Sequence, residues 1–315
     1  MYTKWLLRLL AAVVLLLFMY QFAGVVERMD WPAFTLALRR PGNWRYLLLA
    51  LVLMPLNWWL EACKWRVLLR PFVSWSFRRV VAATLAGVSV SAATPNRIGE
   101  IGGRLLVAHR GEWPAVIASS LLGSLCQWVA FLLLAWPALI YTLSGLTRLT
   151  GELPLKWLIW AGPLVLALLA LGGKPLLLRL LGWVGRRLRR DVTALRQSLI
   201  KVDLGVMAAG SVYACLRFCT YCLQLYLLLW FFGLELDWWA GLAGIMAIYL
   251  VQAGIPLPPG VNFVTRTELG LLLWQTDNAD AVAVLAAYTA LFCVNVLLPS
   301  LPGYYLIVKK RKALA

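Results

Sequence analysis

Arg217 stands near the middle of an apolar run, Leu204–Phe232, with mostly apolar neighbours for two turns on either side and Tyr213 and Tyr221 among the exceptions. A guanidinium at that depth costs about 2.5–3.5 kcal/mol even on the lenient insertion scale, so it must face the interior of a bundle or water. Tyr213, Tyr221 and Gln224 lie one or two turns away on the same helical stripe, which gives the segment a polar face. Two interrupted stretches add further ionisable groups: Arg97, Glu100 and Arg104 in one, Arg266 and Glu268 in the other. Asn57, Gln127, Gln252 and Asn295 are uncharged polar residues inside apolar spans. Together these describe a polar, net cationic cavity. Its natural ligand is an anion, a lipid phosphate above all, because arginine's planar fork matches two phosphate oxygens. The competing reading is structural: Arg217 as half of a buried ion pair that holds helices together. Glu61 and Lys64, one turn apart, either pair at the cytoplasmic end of a span or snorkel to the interface.

Other chemistries find little support. Cys215, Cys219 and Cys222 share one helical stripe, but soft-metal sites want about four ligands and the only histidine, His109, is far away in sequence. Buried thiols acting as small apolar residues account for them better, and no metal, cofactor or catalytic residue is assigned. With no clustered carboxylates, an activated nucleophile or base has little to build on; Glu100 or Glu268 could serve only as a lone base.

The elements that must position these residues are helices in lipid. Of 315 residues, 62% are hydrophobic and 14% charged, and the mean hydropathy is +0.79. No single core in water hides that much apolar surface. Spanning-length runs recur at Trp5–Val26, Trp44–Leu60, Trp113–Leu143, Leu155–Leu171, Leu204–Phe232 and Ala281–Val308. None alternates as a β-barrel strand would, so the fold expected is an all-α polytopic membrane helix bundle, one membrane domain over 1–315. The net charge of +17 would suggest nucleic acid in a soluble protein. Here the cations crowd into connecting segments, where they set orientation and meet anionic headgroups, and no nucleic-acid module is visible. The stretch 174–201 reads as a basic cytoplasmic loop, and the tail Lys309-Lys310-Arg311-Lys312 and the Lys4/Arg8 start belong on the same side. That puts both termini of a multi-pass protein in the cytoplasm. Glu235 and Asp237 mark an outer loop. Arg28, Arg39 and Arg40 fit this scheme poorly, and 27–43 reads better as an interfacial helix.

Two stretches are not simple spans. Val80–Ala93 is short and broken by Thr94-Pro95-Asn96-Arg97, with basic residues on both flanks. Trp239–Ile255 is broken by Pro256-Leu257-Pro258-Pro259-Gly260 and carries acidic flanks. Each reads as a re-entrant hairpin, one entering from either side, since irregular backbone at membrane depth must line a cavity or be buried in protein. Pro95 and Pro258 are 163 residues apart. The order span, broken segment, span repeats around each with opposite orientation. Residues 44–144 and 204–308 are therefore expected to form two inverted repeat units, the pattern that marks a transporter's central site. The alternatives are six full spans plus two hairpins, or eight Pro-kinked spans.

Glu61-Ala-Cys-Lys64-Trp65-Arg66, the run Thr94-Pro-Asn-Arg-Ile-Gly-Glu-Ile-Gly-Gly-Arg104, and the Pro-rich turn followed by Thr267-Glu268-Leu269-Gly270 resemble the lysylphosphatidylglycerol synthase transmembrane, or flippase-like, family of bacterial membrane proteins. In family members joined to an aminoacyl-transferase domain, the membrane part translocates the lipid that domain makes. The resemblance implies a lipid flippase or lipid-handling transporter. The chain ends at Ala315, soon after the last span, so synthetase activity is not carried over. Two other readings stand beside transport: an accessory subunit that stabilises a protein partner or a second copy of itself, and a membrane-embedded lipid transferase. No nucleotide-binding motif is present, so transport would be passive or driven by an ion gradient. Glu100 and Glu268, after the two breaks, are the expected pair for proton coupling, with permanent ion pairing as the alternative.

Overall fold

The computed structural model describes residues 44–91, 98–150, 155–188, 191–200, 202–254, 259–274 and 278–313, and single positions between 31 and 35. The expected first span, Trp5–Val26, the interfacial segment around Arg28, Arg39 and Arg40, Pro95, Arg97, Pro256 and Pro258 lie outside the described residues. No strand occurs among those described, and the chain is an all-α bundle.

We number the helices α1 (Trp44–Leu69), α2 (Phe77–Ser91), α3 (Ile98–Val107), α4 (Trp113–Ala130), α5 (Trp136–Thr150), α6 (Leu155–Leu188), α7 (Thr193–Ile200), α8 (Leu204–Phe231), α9 (Trp238–Ala253), α10 (Pro259–Trp274), α11 (Asn278–Phe292) and α12 (Leu298–Ala313). A π-helical turn, Phe131–Ala135, joins α4 to α5, and another, Cys293–Leu297, joins α11 to α12. Pro137 and Pro299 follow these turns. Each proline lacks the donor that would close the regular ladder, and the widened turn sits where that ladder is interrupted. Capping residues start two helices as their types require. The Asp203 carboxylate accepts from Val206 N at the head of α8, and that of Asp237 from Trp239 N and Ala240 N at the head of α9. Gly233, at φ 97°, takes the left-handed position in the turn that leaves α8.

Among the described residues, four helical stretches are long and apolar enough to cross a bilayer: Trp44–Leu69, Arg110–Gly145, Leu204–Phe231 and Ala281–Ile307. The basic stretch expected as a loop over 174–201 is helical instead, in the last part of α6 and in α7. Its arginines alternate with leucine and tryptophan, so the segment has an apolar face that can pack, and Leu199 is fully buried.

The two broken stretches double back. Helices of 15 and 10 residues reach only about 22 and 15 Å, short of a hydrocarbon core of about 30 Å. α2 and α3 lie against each other along their lengths. Glycine permits this: a Cβ at Gly103 would sit inside the Ala86 carbonyl, and one at Gly87 would meet the Glu100 carbonyl oxygen at 2.9 Å. In the second hairpin a Cβ at Gly244, early in α9, would meet Leu273 and Trp274 at the end of α10. Gly103→Ala is therefore expected to destabilise the protein by about 1–3 kcal/mol, seen as a lower thermal midpoint in detergent. An unchanged midpoint would mean that α2 and α3 do not pack face to face.

The packing is reciprocal. α1 and α8 form the central pair. The first hairpin, through α2, packs on α12, where a Cβ at Gly303 would collide with the Leu85 carbonyl and Ser89 Oγ donates to Ser300 O at 2.7 Å. The second hairpin, through α9, packs on α5. Phe131 and Cys293, Pro137 and Pro299, and Arg104 and Arg266 are separated by the same interval, 162 residues.

Candidate functional site

Glu61 is the hub of a buried charge cluster. It lies on α1 with 3% of its surface exposed. Its Oε2 takes Lys64 Nζ at 2.5 Å, its Oε1 takes Arg104 Nη2 at 3.0 Å, and Arg217 Nε stands 3.3 Å from Oε2. Arg104, from the first hairpin, also pairs with Glu100 and donates to Ser120 Oγ at 3.0 Å; its guanidinium lies over the Trp65 ring at 4.3 Å. Trp65 Nε1 in turn donates to Ser119 Oγ. Three cations thus surround two carboxylates. A buried charge is tolerated only when paired and hydrogen-bonded, and this cluster meets that condition with one positive charge in excess among the described residues.

The excess faces a cavity of about 180 Å³. Its wall is drawn from both halves of the chain: Asn57 and Trp58 of α1, Gln127 of α4, Arg217, Phe218 and Tyr221 of α8, Tyr249 of α9, Arg266 of α10, and residues of both π turns, Phe131 on one side and Asn295 and Val296 on the other. π turns commonly mark functional sites because they re-aim side chains out of register. Arg266 donates through Nε to Gln252 Oε1, lies over the Tyr249 ring at 4.8 Å, and has no ion-pair partner among the described residues.

A relay of three amides fixes one wall. Gln224 Nε2 donates to the Ala50 carbonyl at 2.9 Å, and a carbonyl can only accept. Gln224 Oε1 therefore turns to Asn295, whose Nδ2 donates to it at 3.1 Å. Asn295 Oδ1 is left to accept from Asn57 Nδ2 at 2.9 Å. The last free end of the relay is Asn57 Oδ1, an acceptor with no partner among the described residues. Gln127 Oε1, Trp58 Nε1, Arg217 Nε and Tyr249 OH are likewise buried without a hydrogen-bond partner among the described residues; the Arg217–Glu61 approach is an ion pair whose geometry falls short of a hydrogen bond. Five polar atoms on the wall of one cavity are thus unsatisfied, where buried polar atoms are nearly always paired. Beside the cavity, and sharing Trp58 with it, runs an apolar groove of about 310 Å³ between α1, α2 and α12, lined by Met54, Pro55, Trp59, Leu85 and Pro302 among others.

Of the residues expected from sequence, Glu100, Arg104 and Arg217 meet at Glu61, and Gln224 belongs to the relay. Arg266 reaches the same cavity from the second hairpin. Arg97 lies outside the described residues. Glu268 is exposed on α10 and is not the counterpart of Glu100. In the interval that relates Arg104 to Arg266, the position matching Glu100 is Asn262, and Glu268 falls about a turn and a half beyond it. Glu61 and Lys64 do not snorkel; both are buried. Sequence reasoning counted Asn57, Gln127 and Asn295 among the polar groups of the cavity, where they lie, but did not name their partners, and it missed Trp58 and Tyr249. The available signal was Asn57 and Glu61 one turn apart on an otherwise apolar face.

Fold and site define a multi-pass α-helical membrane protein with a polar cavity walled by α1, α4, α8, the second hairpin and the two π turns. The family model described as the lysylphosphatidylglycerol synthase TM region matches residues 5–303, and the chain belongs to that family. Among curated proteins none matches the chain. Family membership points to a function concerned with membrane lipid.

Proposed function

We propose that the protein is a lipid flippase or lipid-handling transporter of the bacterial inner membrane, and that it holds an anionic headgroup in the cavity between Arg217 and Arg266. One observation carries the reading. The cavity combines two arginines and four further polar groups, unpaired among the described residues, with an apolar groove across Trp58, so head and tail of one amphipathic molecule each meet matching chemistry. Residues 44–144 and 204–308 act as inverted repeat units. The reciprocal seating of each hairpin on the other unit's last rod, and the π turns at matching intervals, support this. The basic stretch 174–201 and both termini face the cytoplasm, by the bias of lysine and arginine. The protein performs no covalent chemistry on the lipid, and the ligands are lipids rather than nucleic acid.

Reconstituted vesicles test the reading. Fluorescent phosphatidylglycerol placed in both leaflets and quenched from outside by dithionite is expected to lose more than half of its signal with protein and about half without. Equal quenching in both vesicle sets would sink the transport reading.

A further inference from the structure

The cavity is more selective than a cationic pocket needs to be. Resting on the lipid-headgroup reading above, we infer that its ligand is a phosphodiester whose headgroup carries hydroxyl donors and no ammonium, a polyol or sugar phosphate on a lipid. Arginine, tryptophan and tyrosine supply donors, and these suit phosphate oxygens. Asn57 Oδ1 and Gln127 Oε1 are acceptors, and a phosphate diester has no proton to give them. The ligand must therefore bring donors of its own.

The orientation of Asn57 is not arbitrary. The Ala50 carbonyl polarises the relay through Gln224 and Asn295, so Asn57 cannot turn its amide nitrogen to the cavity without breaking it. Two kinds of donor remain, hydroxyl and ammonium. Arg217 and Arg266 line the same small space, and Arg217 is itself the charge that the two carboxylates of the cluster leave unbalanced among the described residues. A further cation there would be repelled at low dielectric, whereas a hydroxyl satisfies the amides at no electrostatic cost. The aromatic rings of Tyr221 and Tyr249 add flat apolar surface against which a polyol's C–H face can lie. Trp58 marks the boundary, with the polar cavity on one side and the apolar groove on the other.

The test compares lipids of equal tail and different head, bound to the detergent-purified full chain and read by native mass spectrometry. Phosphatidylglycerol and phosphatidylmethanol both carry one negative charge and differ in their hydroxyls. Phosphatidylglycerol is expected to bind roughly tenfold tighter, the order for one buried acceptor left unpaired, and tighter than phosphatidylethanolamine. Gln127→Leu is expected to shrink the ratio of the first two toward one. Glycerophosphoglycerol, the same head without chains, is expected to compete at least about tenfold more weakly because the groove stays unfilled. Equal binding of phosphatidylglycerol and phosphatidylmethanol by the unmutated protein, or tighter binding of phosphatidylethanolamine, would overturn the inference while leaving the lipid reading in place. Competition by glycerophosphoglycerol equal to that of the lipid would assign the cavity to a soluble phosphodiester and overturn the lipid part. Binding of none of the lipids would remove the headgroup reading itself, and the inference with it.

Discussion

Glu61→Ala is expected to destabilise the protein by about 3–5 kcal/mol, the usual cost of removing one partner from a buried ion pair. The carboxylate holds Lys64 and Arg104, both almost fully buried, and stands beside Arg217. Without it, Lys64 loses the carboxylate 2.5 Å away, and Arg104 keeps Glu100, Ser120 and the Trp65 ring. The loss should appear as a fall of roughly 10 °C in the apparent thermal midpoint in mild detergent, and as aggregated protein on size exclusion. The double replacement Glu61→Leu with Lys64→Leu removes both charges and fills the space with apolar volume. It should recover most of the loss, because Arg104 retains Glu100. An unchanged midpoint for Glu61→Ala would mean that water reaches these cations and that no buried hub exists.

Arg217→Gln is expected to do the opposite: it should leave the fold intact and slow the activity. Arg217 is only half-buried, and Glu61 keeps two other cations when it is gone, so little stability is at stake. What is lost is a charged fork on the cavity wall. One charge-assisted hydrogen bond contributes about 1.5–3 kcal/mol, so movement of an anionic lipid in reconstituted vesicles should slow by about tenfold to a hundredfold. Arg217→Lys should not restore the rate, since a point charge cannot grip two phosphate oxygens at once. A variant that transports normally would make Arg217 a structural ion-pair residue. A variant that unfolds as Glu61→Ala does would join it to the hub.

These two substitutions separate roles that sequence reasoning left merged. In the sequence alone, Arg217 was open to both readings, as a functional arginine or as half of a structural pair. The structure assigns the two halves differently: the partner is Glu61, but that carboxylate is shared among three cations and so cannot neutralise Arg217 fully. The symmetry between Glu100 and Glu268 was inferred from their places after the two prolines. It fails because Glu268 lies 168 residues from Glu100, six more than the interval of 162 that relates Arg104 to Arg266. Matching the helices themselves brings Arg104 and Arg266 into register, each stacked on an aromatic ring.

Composition and periodicity were enough to determine the solvent and the class of fold. A chain with this apolar content has lipid as its only adequate surroundings, and helices satisfy their own backbone there without help from distant residues. The two breaks were legible for the same local reason: proline and glycine act on their own stretch of backbone. The hub, the relay and the cavity were not legible. Glu61 meets Arg104 and Arg217, and Asn57 meets Asn295, across 43 to 238 residues of chain. Helical periodicity says which residues share a face of one helix, never which face of another helix it will meet. That choice was made by glycine contacts between α2 and α3, by α12 seated against α2, and by the central packing of α1 on α8. Only when those helices close do an amide acceptor, two arginines and the edge of Trp58 come to surround one space.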